Sequence, residues 1–250
     1  MLVEVVTLFP AMIREALQHG IVGRAQQRGL LRVGTEDPRA HTSDVHHTVD
    51  DRPYGGGPGM VMKPEPLGAA IAAAAARLPA GSLRIAMSAQ GEPLTQGRVR
   101  ELTGRSGLLL IAGRYEGIDE RVLEAEVDLE LSIGDYVLSG GELPALVLID
   151  AIARLLPGAL GDERSAEQES FSAGLLDWPH YTRPEEYAGR RVPAVLLSGD
   201  HAAIERWRLK QALGRTWLRR RELLAGMNLD ARRAALLQEF LQEREQEGEP

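Results

Sequence analysis

Short apolar runs alternate with amphipathic stretches through residues 1–160 of the chain. The short runs predict β-strands, and the stretches with apolar residues at helical spacing predict α-helices. The predicted strands cover residues 2–9, 82–87, 107–112 and 127–133. The predicted helices cover residues 10–20 (opened by Pro10 and ended by Gly20), 66–78, 95–101 and 143–156. Because strands alternate with helices, the pattern predicts an α/β fold with a mostly parallel sheet.

The pattern changes after Pro157 and Gly158, which end the last of these helices. The following residues contain few apolar side chains and predict a linker. Beyond them, residues 193–197 form a short strand at best, and helical spacing returns at 201–213, 215–224 and 230–242. We therefore predict a domain at residues 1–160, an interdomain linker at 161–174, and a smaller, mainly α-helical domain at 175–250.

Bulk composition narrows the class of protein. The chain has 250 residues and no cysteine, which excludes disulfides, thiol catalysis and thiolate zinc sites. The longest apolar run is too short to cross a membrane, and the first residues lack the basic start of a signal peptide. We therefore expect a cytoplasmic protein that does not bind membranes.

The local distribution of charge favours an RNA partner, although the net charge does not. The net charge of −7 argues weakly against nucleic-acid binding. Residues 201–221, however, contain seven Lys or Arg against the single acid Glu205. Trp207 and Trp217 lie among these cations, so the segment is either an RNA-binding face or a solvated face whose tryptophans lie in the core.

A glycine-rich segment, DDRPYGGGPGM, covers residues 50–60. It is not a phosphate-binding loop, because Met60 and Val61 stand where that motif needs lysine and a hydroxyl residue. The segment is either an ordinary glycine-rich loop or a backbone surface for RNA or another ligand, flanked by charged and aromatic residues. These are Asp50, Asp51, Arg52 and Tyr54.

Two glycine-rich loops follow predicted strands, at residues 113–117 and 134–142. Open α/β sheets bind ligands at such strand ends, so we expect the active site there. In the first loop, Glu116 could face a pocket, or the charges could form a solvated helix start that Asp119 caps. The second loop could pass backbone groups along a flat ligand such as adenine, or could be a tight connection between a strand and a helix.

Other candidate residues are individually ambiguous. Arg154 lies in an apolar helix, where it either lines a polar cleft or extends to solvent with Asp150 as a partner. Glu163, Glu167 and Glu169 by themselves predict a solvated acidic loop. No HExxH or similar spacing predicts a metal site.

Five motifs, in order and in register, carry a resemblance over essentially the whole chain: DDRPYGGGPGM, GRYEGIDERV, IGDYVLSGGELPA, IDAIAR and FSAGLLDWPHYTRPEEY. Together they resemble the bacterial tRNA (guanine-N1)-methyltransferases, which belong to the SPOUT superfamily. The resemblance implies transfer of a methyl group from S-adenosylmethionine to N1 of the guanine at position 37 of tRNA, next to the anticodon. It also implies a trefoil-knotted domain, a homodimer with active sites between subunits, and binding of the anticodon stem-loop.

The resemblance further assigns roles to individual residues. Arg154 is the cation near guanine O6, Glu116 contacts the guanine or an assisting Mg²⁺ ion, and Glu169 stands at the position of the base. The implied cofactor-binding residues are Ser88, Ala89, Gln90, Gly113, Tyr115, Gly117, Ile133, Gly134, Tyr136, Val137, Leu138, Gly140 and Gly141. The implied RNA-binding residues are Asp50, Arg52, Tyr54, Gly55, Gly59, Ser165, Ser170, His180, Thr182, Arg183, Arg208, Lys210 and Arg215.

The chain departs from the family at two of these positions. Glu169 replaces the family's aspartate, with similar basicity and one more methylene, and Ala89 stands where relatives often have proline. We expect Glu169 to act as the base after a slight backbone adjustment of the linker. Two alternatives stay open: a SPOUT methyltransferase that acts on another RNA or on ribose, and an RNA-binding relative that has lost catalysis.

Overall fold

The computed structural model of the chain describes residues 1–161 and 169–247. The chain divides into two compact units, Met1–Glu163 and Arg164–Pro250. Each unit has its own hydrophobic core and is described by itself below. Of the sequence predictions, Ser165, Glu163 and Glu167 lie outside the described residues.

The first unit is built on a five-stranded sheet in which every neighbouring pair is parallel. Its strands are β1 (Leu2–Val6), β2 (Arg32–Glu36), β5 (Leu83–Pro93), β6 (Gly107–Ala112) and β7 (Leu129–Ser132). They lie in the order β2-β1-β6-β5-β7, and a separate antiparallel pair joins β3 (Asp50–Asp51) to β4 (Val61–Met62). The predicted mixed α/β class and its parallel sheet are confirmed.

Helices cover both faces of this sheet. They are α1 (Pro10–Ala16), α2 (Gly20–Gln27), α3 (Pro64–Ala75), α4 (Gln96–Thr103), α5 (Glu120–Glu126) and α6 (Glu142–Leu155), with a 3₁₀ helix at Pro38–His41. In β6, Leu108 and Leu110 face the core that includes residues of α1, α2, α4 and α6. Leu109 and Ile111 face the core that includes residues of α3 and α5. The central strand is therefore buried on both sides, as its unbroken apolar run indicates.

Among the differences between the first unit and the sequence prediction, two concern Gly20 and the end of β5. Gly20 was expected to end a helix, but it begins α2 with φ +64°, a conformation that glycine adopts without strain. The strand expected to end at Met87 continues to Pro93, with a register shift against β7 between Met87 and Glu92. This irregularity projects Ser88–Gly91 away from regular pairing, next to the site described below.

The second unit is mainly helical, with a two-stranded hairpin of β8 (Glu186–Tyr187) and β9 (Arg190–Arg191). Its helices are α7 (Ala194–Leu197), α8 (His201–Arg219), α9 (Arg221–Ala225) and α10 (Ala231–Glu247). Residues 194–197 are thus a helical turn, which corrects the expected short strand. The expected helices 201–213 and 215–224 are also wrong in their boundary. Gly214 lies inside α8 and does not end a helix. A Cβ at this position would stand 2.3 Å from the Phe240 ring, so glycine allows α8 and α10 to pack closely.

Buried leucines of α8, α9 and α10 form the core of the second unit, including Leu213, Leu224, Leu236 and Leu237. Across the chain, none of the helices within the described residues is long and apolar enough to span a membrane.

Candidate active site

The carboxyl ends of β5, β6 and β7 surround a cavity of about 440 Å³. This volume falls within the range of small-molecule sites, roughly 300–1,000 Å³. All of the predicted cofactor-binding residues line it: Ser88, Ala89, Gln90, Gly113, Tyr115, Gly117, Ile133, Gly134, Tyr136, Val137, Leu138, Gly140 and Gly141. Glu116, predicted to face a pocket, lines the same cavity. The structure therefore brings together three loops that are distant in sequence.

The loop after β6 takes its shape from the glycine-rich segment 50–60. The backbone N–H of Glu116 donates to the Met60 carbonyl at 2.9 Å, and that of Met62 donates to the Gly117 carbonyl at 3.0 Å. A Cβ at Gly59 would lie 2.1 Å from Oε1 of Glu116. Because only glycine leaves this space, Gly59 sets where the Glu116 carboxylate can lie.

Tyr115 and Asp50 connect the same two segments through their side chains. Tyr115 has a left-handed φ of +63°, which is uncommon for a residue with a side chain. Burial raises the pKa of its hydroxyl, and the negative charge of Asp50 and a hydrogen bond to it raise that pKa further. The tyrosine therefore stays protonated near neutral pH and can donate to Asp50.

Hydrogen bonds within the loop after β7 hold its start. The Gly134 N–H donates to the Ser132 hydroxyl at 3.2 Å, and the Tyr136 hydroxyl donates to the Ile133 carbonyl at 3.3 Å. Val137 is 90% exposed, so burial of its side chain does not fix the loop. Gly134 has φ +146°, which strains any residue with a side chain, and a Cβ there would also meet the Tyr136 ring at 2.6 Å, so glycine suits this turn.

The two loops meet at Gly141, whose N–H donates to the Gly113 carbonyl at 2.9 Å. A Cβ at Gly141 would lie 2.7 Å from Cα of Ala112, so the two backbones approach too closely for any other residue. Next to this contact, the buried carboxylate of Glu142 binds the Arg114 guanidinium. Sequence reasoning missed Glu142 as a site residue. The available signal was an acidic residue at the first position of a helix, directly after two glycines.

Other predicted residues of the first unit lie elsewhere. Arg154 stands in the last turn of α6, half-buried, and does not line the cavity. The segment with Arg52, Tyr54 and Gly55 is largely exposed, and the Tyr54 side chain is fully accessible to solvent. Asp119 caps α5 by accepting a hydrogen bond from the Arg121 N–H, which was one of the two alternatives for this loop.

In the second unit, backbone N–H groups hold the turn that contains Glu169 and Ser170 by donating to one carbonyl and two side-chain hydroxyls. The Ser172 N–H donates to the Glu169 carbonyl at 3.1 Å, and the Asp177 N–H donates to the Ser170 hydroxyl at 3.0 Å. The Leu176 N–H donates to the hydroxyl of Thr216 in α8 at 2.9 Å. Residues 169–177 are therefore fastened to the helical core of this unit.

A cluster of aromatic and basic side chains surrounds Trp178. The Arg208 guanidinium lies 5.0 Å from the centre of its ring, and the His180 ring lies 5.7 Å away. His180 Nε2 is also 2.8 Å from a carboxylate oxygen of Asp177. Thr182 and Arg183 are exposed, and Arg215 is half-buried.

Lys210 differs from the other predicted RNA-binding residues. It is 7% exposed, and its ammonium donates to Glu239 at 3.0 Å and to both carboxylate oxygens of Glu243 at 2.7 Å. Burial lowers its pKa, but the bonds to Glu243 and Glu239 outweigh burial and raise the pKa above its ordinary value. This geometry favours a structural role, in which Lys210 fastens α8 to α10.

The described residues offer no metal-binding cluster of three or more His, Asp or Glu side chains. At the cavity, Glu116 therefore belongs to no such cluster, and a single carboxylate by itself is a weak site for a divalent cation.

An open parallel sheet, with a cavity where loops from neighbouring strands converge at its carboxyl edge, defines an α/β enzyme with a small-molecule site. Comparison with known proteins narrows this class. The sequence model of the family described as tRNA (guanine-1)-methyltransferase TrmD matches residues 1–226. The chain belongs to this family, and the resemblance found in the sequence motifs is confirmed.

Individual relatives agree over nearly their whole length. The tRNA (guanine-N(1)-)-methyltransferase of Methylococcus capsulatus is 60% identical over 96% of each chain. The protein of the same name from Pseudomonas entomophila is 60% identical over 97% of each chain. That of Coxiella burnetii is 59% identical over 97% of this chain and 98% of the relative.

Proposed function

We propose that this protein transfers a methyl group from S-adenosylmethionine to N1 of guanine in tRNA, at position 37 next to the anticodon. The observation that carries the proposal is the cavity at the carboxyl ends of β5, β6 and β7, in a chain that belongs to the methyltransferase family. Because tRNA is its substrate, the enzyme works in the cytoplasm.

The residues of the cavity fit this cofactor. The volume of about 440 Å³ suits a nucleoside joined to an amino acid, which is the composition of S-adenosylmethionine. Gly113, Gly134, Gly140 and Gly141 give it walls of bare backbone, whose N–H and C=O groups can pair with the edge of adenine. Bound there, S-adenosylmethionine supplies a methyl group on a positively charged sulfur.

Guanine N1 carries a proton and is a poor nucleophile until that proton leaves. We propose that the Glu169 carboxylate accepts the proton and that the Arg154 guanidinium faces O6, where negative charge develops. Glu116 holds the guanine from the side of the cavity. The replacement of the family's aspartate by Glu169 places the same chemical group one methylene further from the backbone, which the turn at residues 169–172 must accommodate.

Within the described part of the chain, no cluster of three or more His, Asp or Glu side chains could hold a Mg²⁺ ion, and Glu116 is the carboxylate proposed to contact one. No step is therefore assigned to the ion, and all roles given above belong to side chains of the protein.

We propose that the tRNA contacts the segment 50–60 of the first unit and, in the second unit, side chains that include those around Trp178. The proposed contacts are Asp50, Arg52, Tyr54, Gly55, Gly59, Ser165, Ser170, His180, Thr182, Arg183, Arg208 and Arg215. Arg208 beside Trp178 supports this, because arginine clamps phosphate while aromatic rings stack on unpaired bases. Lys210 is left out, because its ammonium already has three carboxylate oxygens as partners.

The finer architecture is also a proposal: a trefoil-knotted SPOUT domain at residues 1–160, a linker at 161–174 and a tRNA-binding domain at 175–250. The contact between Gly141 and Gly113 supports the knot, because it brings together the chain segments after β6 and after β7. In single-molecule pulling from both termini, a knotted chain stretches to less than its full contour length.

A homodimer is proposed as the working form. Apolar side chains stand exposed on the first unit, with Leu143 and Val147 one turn apart on α6 and each 47% exposed, and Val137 90% exposed. Burial of such a patch against a second copy would stabilise a dimer. Light scattering at micromolar concentration tests this: a mass near twice 27.3 kDa supports the dimer, and a monomer mass contradicts it.

Methyl transfer from labelled S-adenosylmethionine to a tRNA transcript with guanine beside the anticodon tests the proposed activity. We expect label in tRNA that depends on both enzyme and cofactor. If the protein bound the transcript and the cofactor but transferred no label, it would be a binding relative without catalysis, and the proposal would be wrong.

A further inference from the structure

A carboxylate without exposed surface lies beside the contact between the two loops of the cavity. Glu142 is the first residue of α6, and its side chain is 0% exposed. The Thr7 hydroxyl donates to its Oε1 at 2.8 Å, and Nε of Arg114 donates to its Oε2 at 2.8 Å. Loss of either partner would leave a buried charge without a counter-charge, which is costly. The ion pair with Glu142 therefore keeps the Arg114 side chain in one orientation.

From Glu142, the Arg114 side chain reaches the second loop. Its Nη1 donates to the carbonyl of Ser139 at 3.1 Å, and its guanidinium carbon lies 4.4 Å from the centre of the Phe9 ring. A Cβ at Gly140 would stand 2.3 Å from Nε of Arg114, so the loop follows the arginine closely. Arg114 thus connects a buried anion to the backbone of the loop.

Ser139 lies between Leu138 and Gly140, and both of these neighbours line the cavity. Leu138 is 37% exposed, and the internal hydrogen bonds that fix the start of the loop involve Ile133, Gly134 and Tyr136. Near Ser139, the loop is held by the backbone bond from Gly141 to Gly113 and by the Arg114 side chain at the Ser139 carbonyl, so Arg114 supplies a side-chain contact that sets its position. A shift of this backbone changes the wall of the cavity, which Arg114 itself also lines, whereas Glu142 does not line it.

We infer that Glu142 and Arg114 are positioning residues for the cofactor: Glu142 orients Arg114, and Arg114 holds the backbone at residues 138–140 in the shape that binds S-adenosylmethionine. This inference rests on the proposed function, since that function identifies the ligand of the cavity. Glu142 itself touches neither cofactor nor tRNA.

Two variants separate this role from general stabilisation. Glu142→Gln keeps the size of the side chain and an acceptor for Thr7, but removes the charge that orients Arg114. Arg114→Lys keeps the positive charge, but a single ammonium lacks the fixed fork that reaches Glu142 and Ser139 together. Ile149→Val is the matched control, because Ile149 is 1% exposed on the same helix and does not line the cavity.

Calorimetric titration with S-adenosylhomocysteine is the primary measurement, with thermal unfolding of each variant as the stability readout. We expect both variants to raise the Kd by about tenfold or more, because each weakens one charge-assisted contact. The KM for tRNA stays within about twofold, because the tRNA contacts are unchanged. Ile149→Val lowers the unfolding temperature and leaves the Kd of the cofactor analogue unchanged.

The outcomes are distinguishable. If wild-type protein does not bind the analogue, the proposed function is wrong and this inference is wrong with it. If wild-type protein binds but both variants bind equally well, or Ile149→Val weakens binding to the same extent, only the positioning role is overturned. If Glu142→Gln fails to fold, Arg114→Lys still tests the role, because the Arg114 side chain is 18% exposed and unchanged binding by this variant overturns the inference.

Discussion

Thr216 holds the backbone of Leu176. The buried hydroxyl of Thr216 accepts a hydrogen bond from the Leu176 N–H at 2.9 Å and donates to the Ala212 carbonyl within its own helix at 2.7 Å. The same stretch of chain contains Glu169, seven residues earlier, in a turn closed by the Ser172 N–H. A residue in the last turn of α8 therefore helps to fix the segment that contains the proposed base.

Thr216→Val should reduce the stability of the second unit, because it leaves the Leu176 N–H without a partner. An unsatisfied buried donor costs about 1–3 kcal/mol. Chemical denaturation followed by tryptophan fluorescence measures this directly, since Trp178, Trp207 and Trp217 all lie in the second unit. Thr216→Ser keeps the hydroxyl and should stay closer to wild type. Equal stability of Thr216→Val and wild-type protein would show that the hydrogen bond is unimportant.

Gly59→Ala should impair catalysis by displacing Glu116. The added Cβ would lie 2.1 Å from Oε1 of Glu116, and the φ of +79° is strained for alanine. Gly56→Ala is a matched control, because Gly56 has φ +80° and no atom within 4 Å of an added Cβ. Alanine is therefore similarly strained at both positions, so a difference between the two variants reports the displacement of Glu116. We expect a large fall in kcat only for Gly59→Ala, and similar kcat values for the two variants would contradict this role.

Glu169→Gln should lower the single-turnover rate by about 10²–10⁴, the usual contribution of a general base. Binding of tRNA and cofactor should be little changed, because the amide has nearly the same shape. Glu169→Asp restores the family's residue and should retain most of the activity. Wild-type rates for Glu169→Gln would mean that another group removes the proton.

The second unit should lose stability in acid through Glu239. Hydrogen bonds from Arg206 and Lys210 lower the pKa of this carboxyl from 4.5 to about 2. Because the folded-state pKa lies below the unfolded value, the stabilisation is present above about pH 4.5 and is lost as the pH falls toward 2. Denaturation midpoints at about pH 5 and pH 3 should differ more for wild-type protein than for Glu239→Gln. An identical pH dependence would contradict the contribution of Glu239.

Sequence patterns predict an element well when the burial of its residues agrees with the pattern of apolar and polar side chains. Strand β6 (Gly107–Ala112) has the predicted bounds, because it is buried on both faces and its apolar run is unbroken. Strand β2 (Arg32–Glu36) was not predicted, because no residue of this edge strand is fully buried and its sequence, RVGTE, is largely polar. Glycines misled the prediction at two positions, since Gly20 starts a helix and Gly214 lies within one.

In the candidate site, too, features set by neighbouring residues were predicted, and contacts between residues distant in sequence were not. The loops at residues 113–117 and 134–142 were predicted as the site, because glycine and charge directly after apolar strands are visible locally. The pairing of Glu142 with Thr7 and Arg114 was not predictable, since it joins residues 135 and 28 positions apart. The structural role of Lys210 is hidden for the same reason: its partners lie on another helix.

The most direct test of the central claim is to map the methylated nucleoside in two tRNA transcripts that differ only in guanine or adenine at position 37. We predict 1-methylguanosine from the guanine transcript and no product from the adenine transcript. A methyl group on ribose, on another guanine atom or at another position would contradict it, as would equal labelling of both transcripts.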